Sequence, residues 1–389
     1  MNRVWKNLIL EENIVKWRRH FHKYPELSFH EKETSQFIYD TLCSFSPFEV
    51  TRPTKYSVLA IKKGVKKGKV VAIRADIDAL PIQEETSKSY TSIHKGIMHA
   101  CGHDAHAAIL LSVAEVIANI KEDFVGEIRL FFQHAEEVYP GGAREMVEVG
   151  VMDDVDYVIG LHVMSGLESG KIGIVYGPMM AAPDVFTINI HGKGGHAARP
   201  EETIDPIAIG AQIITNLQHI VSRNTSAFMQ RVVSVTQFHG GMADNIIPNT
   251  AILMGTVRSF DQKLREEAEE KIEQIVKGIT KAHGGDYTYT YRYGYDPVIN
   301  NGYITKVVEE SALHLFGSDR VVKLEPSMGG EDFSAYLRKA PGCFIKLGTG
   351  NKNKDTCYPH HHPKFDVDES ALIYGVELFL ETTMRLLKS

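Results

Sequence analysis

Within the nine residues Met98-His99-Ala100-Cys101-Gly102-His103-Asp104-Ala105-His106 the chain places one thiol, three imidazoles and one carboxylate. That set suits a divalent metal of borderline softness such as Zn²⁺, which takes thiolate and imidazole together. Cys101 and His103 flank Gly102, which lets the backbone turn tightly enough for sulfur and ring nitrogen to reach one ion. An apolar helical pattern follows at once (Ala107, Ile109, Leu110, Leu111, Val113, Ala114, Ile117), and Asp104 is expected to be that helix's N-cap. A buried cysteine beside a capping aspartate gives the same run, so the remaining ligands must come from elsewhere in the chain.

Elements able to supply them follow a pattern. Lys69 to Asp76 is a near-continuous apolar run, the signature of a strand covered on both faces, and it delivers Asp76 and Asp78 at its carboxyl end. Open α/β sheets gather ligands at such ends. A second strand, Glu127 to Phe132, leads into Glu136 and Glu137, and a third, Val155 to Leu161, into His162. Successive side chains on a strand face opposite ways, so adjacent glutamates serving one site require a bend there. Ahead of these come helices at Ile9 to Phe21, stopped before Pro25, and Glu31 to Cys43.

From about Ala182 the pattern changes. Strands at Val185 to His191, Val232 to Phe238, Ala251 to Val257 and Tyr287 to Tyr295 alternate with helices at Pro206 to Val221 and Asp261 to Ala282, the latter stopped by Gly284-Gly285. The order β-α-β-β-α-β predicts an inserted ferredoxin-like domain. The chain then resumes with a helix at Ile304 to Phe316, a glycine turn at Met328 to Phe333, a strand at Cys343 to Leu347, the Pro359-His360-His361-His362-Pro363 run and a helix from Ser370.

With 389 residues, 43% of them hydrophobic, the chain can bury a large core and is expected to split into two domains. The net charge of -6 and the short basic run Lys62 to Lys69, read as a solvated hairpin turn, predict no nucleic-acid binding. No apolar run approaches the roughly 18 to 20 residues that cross a bilayer. Four cysteines without framework spacing, and an amphipathic N-terminal stretch without a signal-peptide apolar core, predict a cytoplasmic protein.

The segments RRHFHKYPELSFHE, RADIDALP, MHACGHDAH, HAEE, GLHV, GKGGHAARP, GGEDF and HHHPKFD stand in this order along the chain. In order and spacing they resemble the metal-dependent amidohydrolases that include aminoacylase, hippurate hydrolase, auxin-conjugate hydrolase and N-acetyldiaminopimelate deacetylase. The resemblance implies an α/β, metallopeptidase-like catalytic domain over 1-182 and 297-389, a mixed sheet flanked by helices, with a lid and dimerisation domain over 183-296. It places metal ligands on Cys101, His103, Glu137, His162 and His361, enough for two divalent ions per subunit (Mn, Zn, Co or Ni). Glu136 matches the general base, and Asp76 a carboxylate that orients a ligating side chain. Asn245, Arg258 and Gly330 match substrate-side positions, with Arg258 suited to a free α-carboxylate. His196 matches a histidine that reaches the partner subunit's site, which implies a homodimer. Arg74 departs from the wider family by standing where others carry a histidine, and His360 stands where a leucine usually precedes the last ligand.

The substrate so implied is a small N-acyl amino acid. A dipeptidase or carboxypeptidase on the same scaffold is the alternative within enzymes, and a non-catalytic metal or redox-sensing module the alternative outside them. Glu136 discriminates, since a metal store needs no general base.

Overall fold

The computed structural model describes residues 5–121 and 123–389, so Met1 to Val4 of the amphipathic N-terminal stretch lie outside the described residues. The chain forms two compact units. The first runs up to Met179 and takes in Ile299–Pro326 and Asp332–Ser389, and the second comprises Met180–Val298 with Ser327–Glu331.

The first unit opens with helices α1 (Glu11–Lys23) and α2 (Lys32–Ser44), each displaced by one or two residues from its apolar pattern. Strands β1 (Glu49–Thr51), β2 (Val58–Lys63) and β3 (Lys66–Asp76) precede α3 (His103–Asn119). Strands β4 (Val125–Gln133), β5 (Tyr157–Glu168) and β6 (Ile172–Ile174) follow. The eight-stranded sheet has the order β1-β2-β4-β3-β5, then Gly342–Gly350, β6 and Val321–Lys323. It is mixed: β3 runs parallel to β4 and β5, and β5 parallel to Gly342–Gly350, whereas β2 and β4 are antiparallel. Every residue of β3 from Val71 to Asp76 is buried, as a central strand covered on both faces demands.

Helix α3 buries all but a few of its side chains. A helix apolar on every side must lie inside the molecule, and α3 packs between α1 and the C-terminal helix Leu372–Leu386. Its burial fixes the Cys101–His106 segment against the sheet.

Two local expectations are corrected. Lys62 to Lys69 is not a hairpin turn, because β4 lies between β2 and β3. Ile128, Leu130, Phe131 and Phe132 of β4 are fully buried and face both ways, so the central place goes to β4, and Gly64 and Val65 of the lysine-rich link donate to Gly126 O and Phe124 O at its start. His162 does not end its strand either: β5 continues to Glu168. Pairing with β3 stops at Arg74 and Gly160, however, so His162 stands just past the point where that neighbour ends.

The second unit is a four-stranded antiparallel sheet in the order Arg231–Gly240, Thr250–Ser259, Ala182–His191, Asp286–Arg292. Helices Pro206–Ser222 and Gln262–Ala282 complete it. Asp205 caps the first, accepting from Ile207 and Ala208 N–H with Pro206 just inside, and Asp261 caps the second. Phe186, Ile188 and Ile190 alternate into a core shared with Ile209, Ile213 and Ile272. Among the described residues no helix is long and apolar enough to cross a membrane.

Candidate metal centre

Gly102 (φ 92°) is the N-cap of α3, and Asp104 is its second residue, so the expected aspartate cap is not formed. Asp104 points instead at Arg18 Nε (3.0 Å) and His22 Nδ1 (2.7 Å), both buried. Burial would raise its carboxyl, but the Arg18 charge and the His22 bond hold it far below the usual carboxylate range. Its other oxygen, Oδ1, accepts Ala105 N–H at 2.9 Å, so both carboxylate oxygens are satisfied. The left-handed turn at Gly102 directs Cys101 and His103 toward the carboxyl ends of β3 and β4.

The five donors come together in overlapping groups. Cys101, His103 and His162 form one, Cys101, Glu137 and His361 a second, and His103, Glu136 and Glu137 a third, each with ligand atoms within 4.8 Å of one another. Cys101 Sγ lies 3.4 Å from His162 Nε2, and His361 Nε2 lies 3.2 Å from Glu137 Oε1. Two adjacent glutamates reach this cluster because the chain bends before them: Ala135 has φ 49°, a conformation that costs an L-residue about 1–2 kcal/mol.

The donor set fits a divalent cation. His103 Nε2 is buried and has no hydrogen-bond partner, and Glu137 Oε1, buried and 3.2 Å from His361 Nε2, faces it at 4.0 Å. Orphaned buried polar atoms are costly unless something completes them. His103 offers Nε2 because its Nδ1 is held by Asp78, at 3.1 Å from Oδ1. Likewise His162 Nδ1 donates to Val163 O at 2.6 Å, leaving Nε2 as the acceptor that turns to Cys101. Such outer partners fix the tautomer a ligand needs.

Protonation follows the surroundings. Burial, with Lys346 and His106 nearby, pushes His162 well below its ordinary range and keeps it neutral. His103 is raised: burial opposes, but the Asp76 charge and the Asp78 bond win. Hydrogen bonds to Cys101 and Glu137 lift His361 to about 10. Burial and the Glu137 charge raise the Cys101 thiol, so without a metal it lacks the thiolate character of a reactive redox cysteine.

The three adjacent histidines separate cleanly. His360 Nε2 is committed to Val163 O at 3.0 Å, and His362 stacks on Tyr358 and accepts from Lys364 N–H. His361 alone of the three joins a donor group. His106, from the opening run, has both nitrogens engaged: Val163 N–H donates to Nε2 at 2.8 Å, so Nδ1 carries the proton and gives it to Asp76 at 2.5 Å. Asp76 thus touches His106 and Arg74, while Asp78 meets His103. Arg74 is fully buried, bridging Asp76 (2.7 Å) and Asp332 (2.8 Å), with Nε on Gln133. It places a fixed positive charge between the two carboxylates.

The other four candidates lie in the second unit. His196 pairs with Ile246 in a two-stranded ladder and is exposed, its Nδ1 accepting from Ala198 N–H. Asn245 O accepts from Ala197 N–H, so these two loops are joined. Arg258, half-buried, stands opposite Pro183 in the sheet, and a Cβ on Gly330 would meet Pro183 Cγ at 2.6 Å. Glu31, which no metal-ligand or acid-base pattern in the sequence singles out, accepts Ala135 N–H at 2.7 Å on its carboxylate. Its only signal was its place in the PELSFHE segment.

The chain matches the family described as Peptidase family M20/M25/M40 over residues 72–385. It belongs to that family. An N-acyl-L-amino acid amidohydrolase of Geobacillus stearothermophilus is 58% identical over 75% of this chain and 79% of its own. Thermostable carboxypeptidase 1 of Saccharolobus solfataricus is 43% identical over 94% of this chain and 93% of its own. Among solved structures, the Bacillus subtilis YXEP protein, described as a dinuclear metal binding peptidase from the M20 family, superposes with a TM-score of 0.85 at 36% identity, covering 97% of this chain and 98% of its own. The M20 fold accounts for the mixed sheet with flanking helices, and divalent metal is the family's cofactor class.

Proposed function

We infer that this M20 protein is a metal-dependent amidohydrolase that cleaves the amide bond of N-acyl amino acids. The observation that carries this reading is the convergence of Cys101, His103, Glu137, His162 and His361 with Glu136 beside them. The 58% identical relative named for that activity supports it.

The five donors would hold the divalent metal, two ions per subunit being the reading that their number and the dinuclear relative support. When bound, the metal lowers the pKa of a water from 15.7 toward roughly 7 and polarises the scissile carbonyl. Glu136, 7% exposed and grouped with His103 and Glu137, takes the proton from the attacking water. It then returns that proton to the leaving amine nitrogen, so that the amine does not depart as an anion. Positioned proton transfer of this kind contributes about 10² to 10⁴ in rate. Asp78 keeps His103 in the tautomer that presents Nε2, and His106, fixed by Asp76, anchors the backbone at Val163 beside His162.

The second unit, with its ferredoxin-like strand order, serves in this reading as a lid and dimerisation module. His196 donates to the developing oxyanion of the partner subunit's site, and Asn245, Arg258 and Gly330 line the substrate side, with Arg258 pairing with the free α-carboxylate. The protein acts in the cytoplasm, where Mn, Zn, Co or Ni is the loaded ion. A carboxypeptidase activity is the second reading, favoured by the 43% identical Saccharolobus relative.

Metal-reconstituted hydrolysis of a panel of N-acetyl and aromatic-acyl amino acids beside dipeptides and blocked peptides decides between them. Turnover confined to the peptides overturns the first reading in favour of the second, and activity without any metal overturns both.

A further inference from the structure

The PELSFHE segment carries no proposed ligand, acid or base, yet it runs along the back of the site. Ala79 N–H donates to Glu26 O at 2.8 Å, and Leu27 forms a parallel bridge with Ala79, so the segment is tied to the chain leaving β3. Ser28 Oγ donates to Asp78 Oδ2 at 2.7 Å. Glu31, fully buried, accepts Ala135 N–H on Oε1 at 2.7 Å, while its Oε2 is buried with no partner. On the other side of the bend, Glu137 N–H donates to Asp78 Oδ2 at 3.0 Å.

We propose that Glu31 is a positioning residue for the hydrolytic site: with Asp78 it clamps the backbone on both sides of Glu136, holding Ala135 in the left-handed conformation that turns Glu136 and Glu137 into one cluster. The proposal rests on the reading of Glu136 and Glu137 given above. Ala135 has no side-chain reason to adopt φ 49°, since it carries a Cβ and gains nothing from the strain. Something outside the turn must hold it. Ala135 O is satisfied by Gly142 N–H at 3.0 Å, which leaves the amide on the Glu31 side as the other fixed point.

A buried carboxyl can do this only if its charge is not a liability. Burial, with Asp78 close by, lifts the Glu31 carboxyl to about 8, so near neutrality it acts mainly as a neutral acceptor. A glutamine, whose amide oxygen accepts the same bond, should therefore replace it. An alanine or a methionine, which lack that acceptor, should not.

The test compares wild type with Glu31→Gln, Glu31→Ala and Glu31→Met, each checked for folding by thermal unfolding. Metal-free proteins are titrated with Co²⁺, following the absorption of the thiolate-ligated ion, and kcat and KM are measured on an N-acyl amino acid. Glu31→Ala is expected to bind Co²⁺ about 10 to 100 times more weakly, the usual loss for an outer partner of a ligand. Its kcat should fall by a similar factor with KM within twofold. Glu31→Met keeps the side-chain volume and is read in its place if the alanine variant does not fold. Glu31→Gln should recover affinity, spectrum and kcat. Wild-type values in the alanine or methionine variant overturn the clamp, and so does a glutamine variant as impaired as they are. If wild type hydrolyses none of the substrates, the functional reading fails, while the Co²⁺ affinities and spectra still decide the role of Glu31.

Discussion

Replacing Gly102 by alanine tests whether the turn between Cys101 and His103 is what builds the centre. Gly102 has φ 92°, and a Cβ added there would sit 2.2 Å from Val163 Cγ2 and 3.5 Å from Phe365 Cζ. The backbone conformation costs an L-residue about 1–2 kcal/mol. Pushing aside a fully buried β-branched side chain adds about 1–3 kcal/mol. Together they predict a loss of about 2–5 kcal/mol in the first unit. The displaced residue matters as well as the strain. Val163 N–H is bonded to His106, and Val163 O accepts from both His162 and His360. Moving it loosens His162, so metal affinity should fall along with stability.

Urea unfolding followed by tryptophan fluorescence reads this directly, because the chain's two tryptophans, Trp5 and Trp17, are both buried in the first unit. A Co²⁺ titration of the same samples supplies the second measurement. A variant whose unfolding free energy stays within about 0.5 kcal/mol of wild type, the range of an innocuous surface change, with unaltered Co²⁺ affinity, would mean that the Gly102 turn does not build the centre.

Chelation should abolish amide hydrolysis and Mn²⁺, Zn²⁺, Co²⁺ or Ni²⁺ restore it, while Glu136→Gln should keep its metal yet lose several orders of magnitude in kcat; a fully active variant removes Glu136 as the base. Bound metal should protect Cys101 from alkylation, and Cys101→Ser should weaken metal binding, as expected of a coordinating thiolate; equal alkylation rates with and without metal count against it. In the metal-free protein, Glu31 keeps its proton to about pH 8 when folded but only to its ordinary range, near 4.5, when unfolded. The folded state therefore binds more protons between these values, and its stability relative to Glu31→Gln should fall as pH rises through that window, by at most about 1.4 kcal/mol per pH unit; parallel pH curves for the two proteins contradict the assignment. His196→Ala should lower kcat by roughly 10² to 10³ with metal content unchanged, and mixing its subunits with Glu136→Gln subunits should restore part of the activity; verified subunit exchange with no recovery rules out a site completed in trans.

The site was partly legible because metal chemistry restricts residue types. Few side chains bind a divalent ion, so a thiol and imidazoles around Gly102, carboxylates after one buried strand and a histidine following the apolar run of another stand out in a linear sequence. The repeating strand and helix periods located the elements to within a few residues, since burial on one face or two leaves its mark on every second or every third to fourth position. The four-strand, two-helix order of the second unit was readable for the same reason.

Strand order was not readable in this way. Nothing in the lysine-rich link says that β4 lies between β2 and β3, because pairing is chosen by the apolar faces of distant segments competing for the centre of the sheet. Nor does the sequence say which polar group serves which. Asp104 looks like a helix cap until Arg18, 86 positions away, is brought beside it. His360, His361 and His362 are equivalent as letters, and they differ only because Val163 O takes one, the donor cluster another and Tyr358 the third. Glu31 is one more glutamate in a helix-start segment until Ala135 N–H meets it in the interior. Local composition and period are enough to mark the residues able to do chemistry and the segments that become strands or helices, because both leave their trace on neighbouring positions. Which nitrogen of each imidazole is left to bind, and which carboxylates hold the backbone, is settled in three dimensions, because a buried polar group is defined by the partner that satisfies it.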